Sequence, residues 1–257
     1  MNRKYNDVQI IELHSKGLTD KEISEILGVK PSTFANKRAK LGLKPNKSKR
    51  ETYKLEGEVL EILIGTLLGD ACVRYVYEGC KYPMLHFNHS MKQLEYFLWK
   101  KNKLIDLMSS FKEYKIKNDK SITGSRMQFN GKNMACLKPI RELFYPNGVK
   151  QFPIEFLDKY FTELSFYCLF MDDGSFDIST NSYILNTQCF EASNLKDFCN
   201  LLLKKFNIET SIKADNTVYI KHISNNIVSN ILDKYNECKS MSYKSQSSLN
   251  SVKQGNP

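Results

Sequence analysis

Hydrophobic and polar positions alternate with helical spacing in the N-terminal part of the chain. Gly17 and Gly28 interrupt this pattern, and Thr19 with Glu22 forms a capping box that predicts the start of a second helix. The predicted inner faces of the first two helices are formed by Val8, Ile10, Ile11 and Leu13, and by Ile23, Ile26 and Leu27. A third helix is predicted from Pro31. A helix, a glycine-containing turn and a further helix indicate a helix-turn-helix, so we predict a small all-α domain over residues 1–43.

The third predicted helix presents polar and basic side chains. They are of the kinds that bond to base edges in the major groove and to phosphates, namely Ser32, Thr33, Asn36, Lys37, Arg38 and Lys40. A basic linker follows at residues 44–54. These features favour DNA binding by the domain, and a three-helix bundle that binds another protein is the alternative.

The rest of the chain contains an internal repeat, in which helical and strand-like spacings follow each other in the same order twice. The first unit covers residues 55–150 and the second covers residues 151–239, and each reads helix, strand, strand, helix, strand, strand, helix. Apolar and polar residues alternate within the strand-like segments, which is typical of antiparallel sheets with one covered face. We therefore predict an α+β fold with two αββαββα halves, followed by a polar C-terminal tail at residues 240–257.

The uncovered face of the predicted sheets is rich in amide, imidazole and basic side chains. These groups read base edges and contact phosphates in protein–DNA complexes. An ordinary solvated sheet face is the alternative, although such a face would more often carry Glu, Thr and Ser. The predicted DNA-binding residues of this face are Arg74, His86, Asn88, Arg126, Gln128, Asn130, Asn186, Gln188, Tyr219 and Lys221.

Each repeat contains an apolar helix that ends in an aspartate, Asp70 in the first repeat and Asp173 in the second. Gly65 and Gly69 lie on one face of the first helix and let another backbone approach closely. If the two helices pack in parallel, the two carboxylates meet and raise each other's pKa. Oxygen ligands suit Mg²⁺, which can activate water and neutralise charge on a scissile phosphate. The pair therefore predicts a metal site, whereas either aspartate alone would be an ordinary helix-terminal residue.

The composition narrows the class of partner. The formal net charge is +10 and 41% of residues are hydrophobic, so we expect a folded core and a polyanionic partner, with nucleic acid before an anionic membrane surface. No apolar stretch is long enough to span a membrane, and no signal-peptide centre is present. The seven cysteines are scattered and no third ligand accompanies His86 and His89 in sequence, so we expect neither disulfides nor zinc, and an intracellular, reducing compartment.

Two segments of the chain resemble the two copies of the LAGLIDADG motif. They are Leu63–Ala71 and Phe166–Gly174, and Ile184–Gln188 adds a further match after the second copy. The resemblance covers most of the chain and is closest to the monomeric, two-motif, intron-encoded homing endonucleases. The motifs depart from the consensus at Ala71, where glycine is usual, and at Cys168, where a small residue is more common.

The resemblance implies both a fold and a chemistry. The halves would be related by a pseudo-twofold axis, with saddle-shaped antiparallel sheets lying in the major groove of double-stranded DNA. Mg²⁺, or Mn²⁺ in its place, would be held at the eighth motif position, which selects Asp70 and Asp173 and excludes Asp172. Lys150 and Lys244 match the lysines that family members keep beside the metals, so we include them among the predicted catalytic residues.

The sequence therefore predicts a site-specific homing endonuclease that acts as a monomer and makes a metal-dependent double-strand break in DNA. His86 and Asn186 are expected at corresponding places on the second strand of each half. An intron RNA maturase with the same fold, and a regulator that binds DNA without cutting it, are the alternatives. The presence of both aspartates favours cleavage over either. The expected compartment is a bacterial or phage-infected cytoplasm, or an organelle, and intron RNA is the alternative partner.

Overall fold

The computed structural model describes residues 5–118 and 121–245 of the chain. The chain divides into two compact units, and the division falls between Lys54 and Leu55. No helix within the described ranges is both long enough and apolar enough to cross a membrane.

The N-terminal unit consists of helices packed around a small apolar centre. Its helices are α1 (Asp7–Ser15), α2 (Asp20–Leu27), α3 (Pro31–Lys40) and the short α4 (Lys49–Thr52). Ile10, Ile23 and Phe34 are fully buried at the centre. Both α1 and α2 begin with capping boxes, at Asn6 and Thr19, which satisfy the free amides of the first turn.

Several side chains of this unit differ from the predicted pattern. Val8, Ile11 and Ile26 are exposed at 71%, 49% and 60%, because so small a unit completes its core with few side chains. The expectation that Arg38 faces solvent is wrong. The Arg38 side chain is only 11% exposed. Its guanidinium pairs with Asp20 at 2.8 Å and donates to the Leu43 carbonyl, so it links α2, α3 and the segment after α3.

The second unit begins with a long apolar helix and a four-stranded sheet. In chain order the elements are α5 (Gly57–Leu68), β1 (Cys72–Arg74), β2 (Met84–Ser90), α6 (Leu94–Lys103), β3 (Met108–Asn118), β4 (Ser121–Gly131) and α7 (Leu137–Phe144). The sheet is antiparallel with strand order β1-β2-β4-β3. Phe87 of β2 faces Phe129 of β4 on the covered side, and the adjacent polar residues face the other way.

A second sheet follows, and the same strand order recurs in it. The elements are α8 (Ile154–Tyr160), α9 (Glu163–Asp173), β5 (Gly174–Asp177), β6 (Ser182–Leu185), α10 (Ala192–Phe206), β7 (Thr210–Ile212), β8 (Val218–Ile220) and α11 (Asn225–Lys234). The antiparallel order is β5-β6-β8-β7. The predicted α+β class with two antiparallel sheets is confirmed. β3 and β4 have 11 residues each, whereas the strands of the second sheet have three or four.

The end of the described chain differs from the predicted polar tail. Residues Lys239–Lys244 form a 3₁₀ helix, in which Met241 and Lys244 are buried. These two side chains anchor the first part of the predicted polar tail to the second unit. The remainder of the predicted tail, from residue 246, lies outside the described residues.

Candidate active site at the ends of two buried helices

Helices α5 and α9 contact each other along their length in the centre of the second unit. A Cβ atom added to Gly65 would lie 2.1 Å from the carbonyl oxygen of Ser165, and one added to Gly69 would lie 2.4 Å from the Cβ of Asp172. Glycine is therefore required at both positions for the backbones to approach this closely. As a result, the C-terminal ends of the two helices, with Asp70 and Asp173, come together.

The carboxylates at these helix ends hold protons more tightly than ordinary aspartates. Burial, and next the charge of Asp172, raise the pKa of Asp70, although its side chain remains 39% exposed. Burial, and next the charge of Asp70, raise the pKa of Asp173 to about 7. The two predicted ligands therefore repel each other, which is the arrangement that a bound divalent cation stabilises.

Both predicted catalytic lysines reach this region. Lys150 donates from Nζ to the carbonyl oxygens of Gly69 and Ala71. Lys244 donates to the carbonyl oxygens of Met171 and Asp172, at 2.7 and 2.9 Å. Burial lowers the pKa of both amines, and the neighbouring aspartates oppose that effect. Each lysine thus neutralises the negative end of one central helix and lies within the field of the acidic cluster.

Three further residues of the cluster were not predicted as site residues, namely His89, Lys100 and Asp172. The side chains of all three have 0% exposure. His89 lies between two acids, with Nδ1 at 3.5 Å from Asp70 Oδ2 and Nε2 at 3.7 Å from Asp172 Oδ1. Lys100 Nζ lies 2.8 Å from Asp172 Oδ1.

The sequence does contain a signal for two of these residues. His89 continues the alternation of Leu85 and Phe87, which are buried in β2, so it marks a polar group on the apolar face of the strand. Lys100 follows Tyr96 by one helical turn on the buried side of α6. A polar residue at a core position is the observation that points to a buried network.

A divalent cation fits this donor set. Asp70, His89 and Asp172 offer ligand atoms that all lie within 4.8 Å of one another, and Asp173 adds a carboxylate whose pKa responds to Asp70. His89 Nε2 is buried without a hydrogen-bond partner among the described residues. Carboxylate oxygens are the donors that Mg²⁺ and Mn²⁺ prefer. The residues that the structure brings together can thus hold a hard metal ion.

Most predicted DNA-binding residues of the first sheet share its uncovered face. His86 pairs with Asn130, and Asn88 with Gln128, across β2 and β4. Gln128 Nε2 donates to Asn130 Oδ1 at 3.1 Å, and His86 lies 3.3 Å from the amides around it. Arg74 and Arg126 are exposed at the same face. The arrangement forms a connected polar surface.

The second sheet differs more from the prediction. Tyr219 lies on β8 and is half-buried, but Asn186, Gln188 and Lys221 follow the ends of their strands. Asn186 donates from its main chain and its side chain to the Asp173 carbonyl, at 2.8 Å each. Gln188 donates to Thr217, and Lys221 pairs with Glu209. The strands are shorter than the alternation in the sequence predicts.

The expected correspondence of His86 with Asn186 is wrong. His86 pairs with Cys72, the residue that follows the first motif, and Ile184 pairs with Ser175, the residue that follows the second. Ile184 therefore takes the place that His86 has in the first sheet, and Asn186 lies two residues further along the chain.

In the N-terminal unit, four predicted DNA-contacting residues are exposed on α3, namely Ser32, Thr33, Asn36 and Lys40. Lys37 is instead partly buried and pairs with Asp7 at 2.7 Å. The exposed face of α3 is therefore narrower and less basic than the sequence pattern predicts.

Two central helices thus converge on carboxylates and lysines beside two antiparallel sheets, and this donor set can hold a hard metal ion. Residues 60–231 match the model of the LAGLIDADG DNA endonuclease family. The chain belongs to this family and is a LAGLIDADG DNA endonuclease.

Individual relatives agree with this assignment. The chain is 30% identical over 212 residues to a protein described as probable intron-encoded endonuclease 1 of Wickerhamomyces canadensis, a match that covers 74% of this chain and 86% of that protein. It is also similar to the solved structure of the homing endonuclease I-WcaI bound to its DNA recognition sequence. That match has a TM-score of 0.68 and 25% identity, and it covers 81% of this chain and 97% of the other.

Proposed function

We propose that the protein is a site-specific homing endonuclease that makes a metal-dependent double-strand break in DNA. The observation that carries this proposal is the convergence of Asp70 and Asp173, with Lys150 and Lys244 each bonded to the end of one central helix. The pKa of Asp173, raised to about 7, supports a cation site at this point. The intron-encoded relative supports a role in homing.

In the proposed arrangement two αββαββα halves are related by a pseudo-twofold axis that runs between α5 and α9. The equal strand orders of the two sheets support it. The chain acts as a monomer, because both motifs lie in one polypeptide. The polar faces of the sheets lie in the major groove of double-stranded DNA, and the N-terminal unit adds a helix-turn-helix that places α3 on the same duplex.

The residues divide the chemistry between them. Asp70 and Asp173 would hold Mg²⁺, or Mn²⁺ as its substitute, and the bound ion would supply an activated water and neutralise charge at the scissile phosphate. Lys150 and Lys244 keep a positive charge beside the carboxylates, where a phosphate oxygen can accept a hydrogen bond. Asn186 fixes the Asp173 carbonyl and so the start of β5. One lysine lies beside the scissile phosphate of each DNA strand.

The test compares two aspartate variants on a selected target. A library of randomised linear duplexes, from which cut molecules are recovered, supplies a target for the wild-type protein in Mg²⁺, with EDTA as the blank. We expect Asp70→Asn and Asp173→Asn to abolish cutting and to retain DNA affinity, because each loses a ligand charge but little packing.

Asp158→Asn, at an exposed surface pair with Lys204, is the matched control and should cut normally. Full cutting by an Asp70→Asn/Asp173→Asn double variant would contradict the proposal. A maturase would support RNA splicing with both aspartates replaced, and a non-cleaving regulator would bind its target without cutting it in any metal.

A further inference from the structure

We propose that Lys100 and Asp172 are positioning residues, which hold the metal ligand Asp70 in place through a buried ion pair and a main-chain hydrogen bond. The proposal rests on the proposed endonuclease function. It assigns roles to a residue outside both motifs and to the motif aspartate that the resemblance excludes as a ligand.

The pair is enclosed on all sides. Lys100 Nζ lies 2.8 and 3.1 Å from the two carboxylate oxygens of Asp172, and both side chains have 0% exposure. The ammonium also lies 4.7 Å from the ring centre of Phe87 and 4.6 Å from that of Tyr96. Removing one member would leave an uncompensated buried charge, which is far more costly than removing both.

Asp172 connects the pair to the first motif. Its Oδ2 accepts a hydrogen bond from the main-chain N–H of Asp70 at 3.3 Å. The contact is possible because Gly69 has no side chain, since a Cβ there would lie 2.9 Å from the same oxygen. A carboxylate of the second motif therefore fixes the backbone from which the Asp70 side chain projects.

The pair also explains which acids are free to bind a cation. Asp70, Asp172 and Asp173 all lie in one cluster, and three unpaired carboxylates would repel one another strongly. Lys100 neutralises Asp172, so a metal ion at that carboxylate would have to displace a buried ammonium. Asp70 and Asp173 therefore remain the acids available to a metal. This holds even though an Asp172 carboxylate oxygen lies within 4.8 Å of ligand atoms of Asp70 and His89.

Two double variants separate positioning from simple support of the fold. Lys100→Met/Asp172→Asn removes both charges and keeps an oxygen that can accept from the Asp70 N–H. Lys100→Met/Asp172→Leu also removes both charges, and it keeps the branched shape of the side chain but not the acceptor. The single variants Lys100→Met and Asp172→Asn each leave one buried charge and should lower the melting temperature more than either double variant.

Three measurements are made on each full-length variant: the melting temperature in EDTA, the affinity for the selected duplex in Ca²⁺, and the single-turnover cleavage rate in Mg²⁺. We expect both double variants to melt alike and to bind DNA alike. The Leu-containing one should cut slower than the Asn-containing one by about ten-fold or more, because the Asp70 backbone loses its only side-chain acceptor in the described structure.

Gly69→Ala provides a second route to the same question, since it displaces the Asp172 carboxylate without changing any charge. It should slow cleavage while DNA affinity in Ca²⁺ persists, and the surface variant Asp158→Asn should not. Equal cleavage by the two double variants would overturn the proposal. If the double variants fail to fold, unchanged cleavage by Gly69→Ala would overturn it instead. Neither result would affect the proposed function, which is tested separately by cleavage with the wild-type protein and with the Asp70→Asn and Asp173→Asn variants.

Discussion

Lys150 and Lys244 occupy related positions, because each donates to main-chain carbonyls at the C-terminal end of one central helix. A charge fixed in this way costs little reorganisation when a phosphate becomes more negative in the transition state. A lysine that merely binds a phosphate would instead contribute equally to the ground state and the transition state. Substitution of a lysine in the first role lowers mainly the cleavage rate, whereas substitution of a lysine in the second role lowers mainly DNA affinity.

We predict that Lys150→Met and Lys244→Met each reduce the single-turnover cleavage rate by on the order of 10²–10³ and change DNA affinity less. Each should slow one strand more than the other, so nicked DNA should accumulate on denaturing gels. Lys196→Met, at an exposed position of α10, is the control. If cleavage of both strands slowed equally, or if only DNA affinity fell, both lysines would be ordinary phosphate contacts.

Asp173 predicts a pH dependence of stability in the metal-free protein. Its pKa is raised to about 7 from an ordinary value near 3.8, so the folded state binds more protons than the unfolded state between these values. Stability should therefore fall as pH rises from about 4 to about 7. The part of this decline due to Asp173 should disappear in Asp173→Asn, which should melt higher than wild type at pH 8 in EDTA.

Melting curves at several pH values, recorded for both proteins, give the difference directly, and titrating groups remote from Asp173 cancel in the comparison. Mg²⁺ should stabilise the wild type and not the variant at pH 8, because the ion binds the ionised carboxylate. The opposite outcome would be an advantage of Asp173→Asn over wild type, in melting temperature, that becomes larger as the pH falls. It would show that the ionised carboxylate is favoured, not disfavoured, in the folded state.

Single residues also show where the sequence was a poor guide. The location of the motif aspartates and of Lys150 at the ends of the central helices could be predicted, because a repeated pattern or a family resemblance marks them. For Arg38 and Lys100 the partner could not be predicted, since nothing local to a basic residue reveals which acid from a distant segment will cover it. Only the burial of Lys100 has a signal in the sequence, namely its place on the apolar side of α6. Arg38 meets Asp20 and Lys100 meets Asp172 only once the chain is folded.

At the scale of elements, α5 and α9 were predictable because their apolar character persists all round the helix. Helix α8 was not predicted, and the strands of the second sheet are shorter than the alternation of residues suggests. Short strands give few residues over which a period of two can be counted. The pairing register, which decides that Ile184 and not Asn186 matches His86, depends on contacts between strands.

For the N-terminal unit, the prediction concerns DNA binding by helix α3. Lys40 is exposed, whereas Arg38 and Lys37 are engaged within the unit, so Lys40 is the basic side chain of α3 best placed to reach a phosphate. Log K for DNA binding falls as log salt concentration rises, and in Lys40→Ala this negative slope should become shallower by about 0.9. Lys21→Ala on α2 is the matched control, and a slope equal to that of wild type in Lys40→Ala would remove α3 from the DNA interface.

At the scale of the whole molecule, the two sheets of the second unit are unequal. A strand of 11 residues, as in β3 and β4, extends about 36 Å, close to the rise of about ten base pairs. Strands of three or four residues extend only about 10–13 Å, or roughly three to four base pairs. In the proposed complex, the two arms of the recognition site are therefore read over different lengths.

This inequality predicts an uneven distribution of sequence information in the target. Single base-pair substitutions along a selected site should reduce cleavage over a longer stretch on the side of the first sheet than on the other, and sequencing of cut libraries would measure it. Equal profiles on both arms would contradict the expectation. If it holds, a mobile element carrying this enzyme could colonise alleles that have diverged in one arm of the site, while divergence in the other arm would confer resistance.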